Sequence, residues 1–240
     1  MKQKFFAALF ILFPAAVIFG QSNPCNEFNE LNTKVRDGLI SGNDARDEIR
    51  KLLPEIKDYF LKNGGTEISD RDWIFPLRGY TSASIGGVNG SGYKPKGYDY
   101  FDGNKHGGHP AHDIFIYDRN QDNLDDNTGK PADILSVSNG VVVACEPEWQ
   151  ADSDLRGGRY IYIYDPSYEG IFYYAHNSRI FVKPGDIVNA GDKIAECGRT
   201  GLNAYKKRSP THLHLMFLQV EDGYPKPKNI YNELINAKTK

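Results

Sequence analysis

Thr211-His212-Leu213-His214-Leu215 sets two imidazoles one residue apart within an apolar alternation. Side chains along a β-strand point to opposite faces in turn, with period two. A strand here puts His212 and His214 on one face and sends Leu213 and Leu215 into a core. An earlier segment, His109-Pro110-Ala111-His112-Asp113, can complete the pair. Two close imidazoles and one carboxylate from a second segment make a three-ligand metal set. Catalytic zinc sites use three protein ligands and leave the fourth position to water.

The same parity argument ranks the ligands of the earlier segment. Asp113-Ile114-Phe115-Ile116-Tyr117 reads as a strand, with Ile114, Ile116 and His112 on one face and Asp113 on the other. His109 precedes Asp113 by four residues and keeps its parity if the chain stays extended through Pro110. His109 and Asp113 are therefore favoured over His112, and His106 stays open. All six histidines (106, 109, 112, 176, 212 and 214) fall after residue 105, within one candidate domain.

Short β runs separated by glycine, proline and asparagine fill the chain from about Ser69. They include Ile134-Leu135-Ser136-Val137, Gly140-Val141-Val142-Val143-Ala144, Tyr160-Ile161-Tyr162-Ile163-Tyr164 and Ile171-Phe172-Tyr173-Tyr174. Such spacing predicts a mainly β fold, an antiparallel β sandwich or partly open barrel, large enough for its own core. Tyr224-Pro225-Lys226-Pro227-Lys228 reads as a polar tail before a short amphipathic end.

A small helical hairpin is expected before it, over residues 21–68. Phe28, Leu31, Val35 and Leu39 recur at helical spacing, Ser41-Gly42-Asn43 breaks the run, and Ile49, Leu52, Leu53, Ile56 and Phe60 form a second stripe. Pro54 is expected to kink the second helix, and Asn63-Gly64-Gly65 to end it. The hairpin is too small for a core of its own, so it should pack on the β domain.

Residues 1–20 read as a secretory signal. Lys2 and Lys4 precede an apolar run from Phe5 to Phe19, and Gly20 suits cleavage before Gln21. The run is shorter than the ~20 residues of an ordinary spanning helix, and no later segment is apolar enough to span, so an exported chain with no transmembrane segment after cleavage is expected. The net charge of -2 gives no footprint for nucleic acid. Three cysteines, Cys25, Cys145 and Cys197, lack zinc-finger spacing. Cys145 and Cys197 both end strand-like runs, and in an oxidising compartment a disulfide between them is one alternative to two free thiols.

Two further segments carry weaker signals. Ser84-Ile85-Gly86-Gly87 and Gly90-Ser91-Gly92-Tyr93 are glycine-rich, but no Walker pattern follows, which argues against phosphate binding. Asp118 to Asp126 has partial EF-hand spacing. Asn123 stands at the glycine position and Gly129 at the glutamate position, so a solvated acidic loop is expected rather than a calcium site.

The order His109…Asp113, then Tyr174-Ala175-His176, then His212…His214 resembles the lysostaphin-type, or LytM-like, zinc metallopeptidases. The likeness runs from about Trp73 to Phe217, within a candidate domain of residues 69–240. It includes Val182-Lys183-Pro184-Gly185-Asp186-Ile187-Val188, Gly191-Asp192-Lys193-Ile194 and Gly198-Arg199-Thr200-Gly201. Ala111 departs from the pattern, where many members carry glycine, and demands a more ordinary backbone. The resemblance implies one zinc held by His109, Asp113 and His214. It also implies His212 as catalytic base, and His176 stabilising the transition state or orienting the water. His106 and His112 are then loop or supporting residues. The glycine-rich segments before Tyr100 would wall the substrate groove.

The function implied is an exported zinc endopeptidase that hydrolyses peptide bonds of peptidoglycan. A competing class is a non-enzymatic envelope adaptor that binds wall or a protein partner through the same groove, with the N-terminal helices available for docking. Adaptors of that kind commonly lack the metal ligands, and here the set is intact. A lipoyl-like carrier, suggested by the paired Gly-Asp turns, leaves the histidines without a role.

Overall fold

The computed structural model describes residues 23–68 and 72–240. The expected signal over residues 1–20 lies outside them, and the expected boundary between helical and β regions falls at the undescribed residues 69–71.

Local signals set both helices of the hairpin. α1 spans Pro24–Arg36. The Asn23 side chain accepts from Cys25 N at 3.0 Å, and Pro24 opens the helix, where its missing N–H costs nothing. Gly38, at φ 69° just past the C-cap Asp37, ends α1 in the left-handed conformation that favours glycine. Leu39 therefore falls outside the helix and is 73% exposed, not part of the buried stripe its spacing suggested. α2 spans Gly42–Lys62 and continues through Pro54. Ser41, read from sequence as part of a break, is its N-cap and accepts from Asp44 N at 3.2 Å.

The strands are β1 (His112–Phe115), β2 (Asp133–Leu135), β3 (Gly140–Glu146), β4 (Tyr160–Asp165), β5 (Gly170–Ala175), β6 (Arg179–Ile180), β7 (Ile187–Val188), β8 (Lys193–Glu196), β9 (His212–Glu221) and β10 (Tyr224–Pro227). A short helix α3, Tyr231–Ile235, follows. The main sheet runs β1-β9-β5-β4-β3-β7, and β10 pairs with β9 beyond β1; a smaller sheet runs β2-β8-β6. Every pairing between these strands is antiparallel. The expected mainly β sandwich with a preceding helical hairpin is the observed architecture.

Tyr224 to Lys228 is not a free polar tail. Pro225 and Pro227 sit in β10, opposite Val220 and Leu218 of β9. Proline is tolerated there because an edge strand leaves one row of backbone groups unpaired.

Period-two alternation gives the main sheet two apolar faces. Ile161, Ile163, Phe172, Tyr174, Leu213, Leu215 and Phe217 face a core shared with Ile134, Ile194 and Ala195 of the smaller sheet. Tyr160, Tyr162, Tyr164, Ile171, Met216, Leu218 and Val220 face a second core closed by Phe28, Leu31, Val35, Ile49, Leu52, Ile56 and Phe60 of the hairpin. The hairpin is thus a third layer. Polar contacts fix its register: Asn29 Oδ1 accepts from Cys145 N at 3.0 Å, and Asn32 bridges the Tyr160 and Tyr100 hydroxyls at 3.1 and 3.0 Å. The ion pair Arg36–Glu146, at 2.7 Å, closes the rim.

Candidate active site

His212 and His214 have the same parity as Met216, Leu218 and Val220, so they lie on the hairpin face of β9, beyond the helices. Pairing of β1 with β9 sets Asp113 directly opposite His214 and Ile114 opposite Leu213. Asp113 and His214 are therefore cross-strand neighbours on one face, while Ile114 and Leu213 enter the core, both fully buried. On the other side of β9, Ala175 pairs with His214, which brings His176 to the same end of the sheet.

Three groups converge. Asp113 Oδ1 lies 3.2 Å from His109 Nε2 and 3.0 Å from His214 Nδ1. One ligand atom from each of the three lies within 4.8 Å of the others, and among the described residues no other such group of histidine, cysteine and carboxylate side chains forms. His212 Nε2 is 3.6 Å from the same carboxylate oxygen. The His176 ring packs 4.9 Å from that of His212 and 5.4 Å from that of His214. Burial alone would push the Asp113 pKa up, but the contacts with His109 and His214 and the surrounding imidazoles hold it well below the usual carboxylate range. Burial lowers the His214 pKa, while the Asp113 contact raises that of His109.

Backbone carbonyls set the ring tautomers. His109 Nδ1 donates to Gly92 O at 3.0 Å, His176 Nδ1 to Thr200 O at 2.8 Å and His212 Nδ1 to Pro210 O at 2.8 Å. Since a carbonyl only accepts, the proton of each neutral ring sits on Nδ1 and the lone pair on Nε2. His109 is fixed further by a two-way backbone bridge with Lys94, 2.7 Å in each direction. The glycine-rich segment thus braces a site residue. His176 occupies the left-handed region at φ 68°, unusual for a residue with a Cβ, and its N–H donates to Gly157 O at 2.9 Å. Burial, then the neighbouring His212 and His214, drive its pKa well below the ordinary histidine value.

The remaining histidines stand apart from the cluster. His112 is buried on the opposite face, with Nε2 3.0 Å from Asn229 Oδ1 and its ring stacked on Tyr93. His106 contacts Gly107 O and the Tyr98 ring at the cleft wall. Ala111 has no left-handed backbone and is fully buried.

The acidic loop has a structural task that its composition did not reveal. Asp118 is 7% exposed. It accepts from Asp122 N and Asn123 N at 3.1 and 2.9 Å, and from Thr211 Oγ1 at 2.6 Å. Its carboxylate is thereby committed to a turn and to the residue before His212. The three thiols are free, so the Cys145–Cys197 bond considered from sequence is not formed. Burial raises the Cys25 thiol to about 12 and Cys145 to about 11, which leaves them protonated and poor nucleophiles.

Two adjoining clefts open on the cluster. One is lined by the five cluster residues with Arg156, Asn203 and Ser209. The other runs from His214 beneath α1 and is walled by Tyr98, Tyr100, Tyr160, Tyr162 and Tyr173.

Residues 121–226 match the family model described as Peptidase family M23. The resemblance read from the motifs holds over that stretch, which takes in His176, His212 and His214 and stops short of His109 and Asp113. No curated protein matches the chain. Among solved structures, it is similar to the catalytic domain of the antimicrobial peptidase lysostaphin from Staphylococcus simulans, at 23% identity and TM-score 0.39, over 60% of this chain and 86% of that one. It is similar to a candidate glycyl-glycine endopeptidase lytM from Ruminococcus gnavus, at 21% identity and TM-score 0.48, over 92% and 85%. A zinc-containing peptidase from Vibrio cholerae is similar at 21% identity and TM-score 0.41, over 71% of this chain and 41% of that one. Among the described residues no helix is long and apolar enough to cross a membrane.

Proposed function

With the match to peptidase family M23 as premise, we propose that the chain is an exported zinc endopeptidase that hydrolyses peptide bonds of peptidoglycan. The observation that carries this is the convergence of His109, Asp113 and His214 beside His176 and His212. The donor set suits zinc, which favours imidazole nitrogen and carboxylate oxygen. His109 offers a further argument. In the neutral ring the proton sits on Nδ1 toward Gly92, and Nε2 would aim a lone pair at the Asp113 carboxylate, 3.2 Å away. A cation shared between the two reconciles that contact.

Zinc held by His109, Asp113 and His214 would supply a water of lowered pKa, about 7, and a polarised scissile carbonyl. His212 faces the cluster through Nε2, an acceptor when neutral, which equips it to take the water's proton and pass it to the leaving amine. His176 also carries its proton on Nδ1, and its low pKa keeps it neutral. A neutral ring of that tautomer has no N–H left to meet an oxyanion, so of the two roles open to His176 the geometry favours orienting the water. No covalent intermediate is needed. Action outside the cytoplasm is supported by the charged-then-apolar start of the sequence.

The test is release of soluble peptides from purified peptidoglycan by the chain from Gln21, with zinc quantified in the same sample and His212→Ala as control. Release that the control lacks, with about one zinc per chain, is the expected result. Zinc bound without release would move the reading to another peptide substrate or to a binding role.

A further inference from the structure

Arg156 is a cation of the cleft that, among the described residues, no carboxylate neutralises. It lines both the cluster cleft and the tyrosine-walled cleft. Its backbone N–H donates to Asn104 Oδ1 at 2.9 Å and its Nη1 to His106 O at 2.6 Å. The first contact fixes the backbone; the second holds the side chain and uses one of the five guanidinium N–H donors. Among the described residues it makes no ion pair, whereas Arg36, the other guanidinium at the far end, is paired with Asp37 and Glu146. The Asp113 carboxylate in the cluster cleft is already shared among imidazoles, and the adjoining cleft has no carboxylate in its lining.

The loop that carries Arg156 is built for close approach. A Cβ on Gly157 would fall 1.9 Å from the Tyr173 hydroxyl oxygen, so only glycine lets the loop lie against the tyrosine floor. The next carbonyl, Gly157 O, accepts from His176 N at 2.9 Å. Arg156 is therefore positioned by the same turn that fixes a cluster histidine.

We infer that Arg156 binds a free carboxylate of the substrate next to the cleaved amide, and that this selects peptides bearing such a group. The inference rests on the peptidase reading above and narrows it. A cross-link whose amide nitrogen is attached to a carboxylate-bearing carbon fits this subsite. A glycine bridge, which has no side-chain carboxylate, does not engage it. Guanidinium and carboxylate match as a bidentate pair, and the surrounding tyrosine hydroxyls supply neutral donors.

The experiment uses two short D-alanyl peptides that differ in one group on the carbon next to the amide nitrogen, a free carboxylate in one and a carboxamide in the other. Affinity is measured by calorimetry on the zinc-loaded chain in the His212→Ala background, and cleavage separately on the wild type. The carboxylate peptide should bind roughly 10- to 100-fold tighter. Arg156→Met should abolish that preference with zinc content unchanged, and Arg156→Lys should keep part of it. Equal affinity for the two peptides, or a preference that survives in Arg156→Met, would overturn the subsite. A carboxylate preference without wild-type cleavage would retain the subsite and sink the peptidase reading. Cleavage without preference would do the reverse.

Discussion

Removing the helical hairpin should unfold the β domain rather than uncover an independent enzyme. Phe28, Leu31, Val35, Ile49, Leu52, Ile56 and Phe60 are each at most 7% exposed, and all face the main sheet's second core. Full burial of such a side chain is worth about 1.5–3 kcal/mol, so the set contributes on the order of 10–20 kcal/mol before entropy is counted. A domain's entire net stability is about 5–15 kcal/mol. A chain beginning at Asp72 would also expose Tyr160, Tyr162, Ile171, Leu218 and Val220 to water. It should lose its cooperative urea transition and bind a dye that reports exposed apolar surface, as compact states without fixed packing do. Phe28→Ala is the milder form. It leaves a cavity beneath a side chain that is 1% exposed and should cost about 3–5 kcal/mol, read as a lower urea midpoint at unchanged slope. A chain from Asp72 that unfolds cooperatively at the full-length midpoint would refute this reasoning. The hairpin would then be an appendage, and its effect on activity could be tested by cutting it away.

His214→Ala should abolish both zinc binding and activity, because a third ligand is lost; full zinc retention by elemental analysis would remove His214 from the ligand set. His212→Ala should keep most of its zinc and lose roughly 100- to 10,000-fold in turnover, and a wild-type rate would exclude it as the base. Thr211→Val should remove one of the three hydrogen bonds to the buried Asp118 carboxylate, the 2.6 Å bond from Thr211, and lower stability by about 1–3 kcal/mol in urea titrations; an unchanged midpoint would mean that the acidic loop does not anchor β9. Burial raises the tyrosine hydroxyls, Tyr80 to about 12 and Tyr100, Tyr173 and Tyr174 further. Their ordinary pKa is about 10, so their stabilising share is full below that pH and is lost as pH rises toward the folded values. Phenolate absorbance from these residues should therefore grow together with loss of near-ultraviolet circular dichroism, and early titration of all fifteen tyrosines at about pH 10 in a still-folded chain would contradict the burial.

Much of the site's layout could be read from strand parity. Period-two alternation places His212 with His214 and separates Asp113 from Ile114, and the observed register sets Asp113 opposite His214. Parity works there because one face is apolar and buried, so a slip of one residue would drive every leucine into solvent. It failed to foresee β10, because proline pairs argue against a strand unless the edge is known, and Leu39, because helical spacing continues past the glycine that ends the helix. The carbonyls of Gly92, Thr200 and Pro210 were invisible for a different reason. Every residue carries a carbonyl, and only tertiary approach decides which one meets an imidazole. Arg156 was equally silent: a lone arginine beside two glycines carries no motif, and its place in the cleft depends on Tyr173 lying beneath the loop.

The tyrosine-rich strands connect stability to the cleft. Tyr160 and Tyr162 pack against the hairpin core and also wall the cleft that runs to His214. Asn32 of α1 holds the Tyr160 hydroxyl from above. The helices therefore form one wall of the space in which a peptide would lie, and the opening to the cluster begins where α1 ends. Substitutions at Asn32 or Tyr160 should alter urea stability and peptide affinity together, since either change moves the same hydroxyls. Substitution at Arg156, whose guanidinium among the described residues donates to the carbonyl of His106, should shift affinity with little effect on stability. A large loss of stability in Arg156→Met would mean that the guanidinium is a structural tie rather than a group waiting for a ligand.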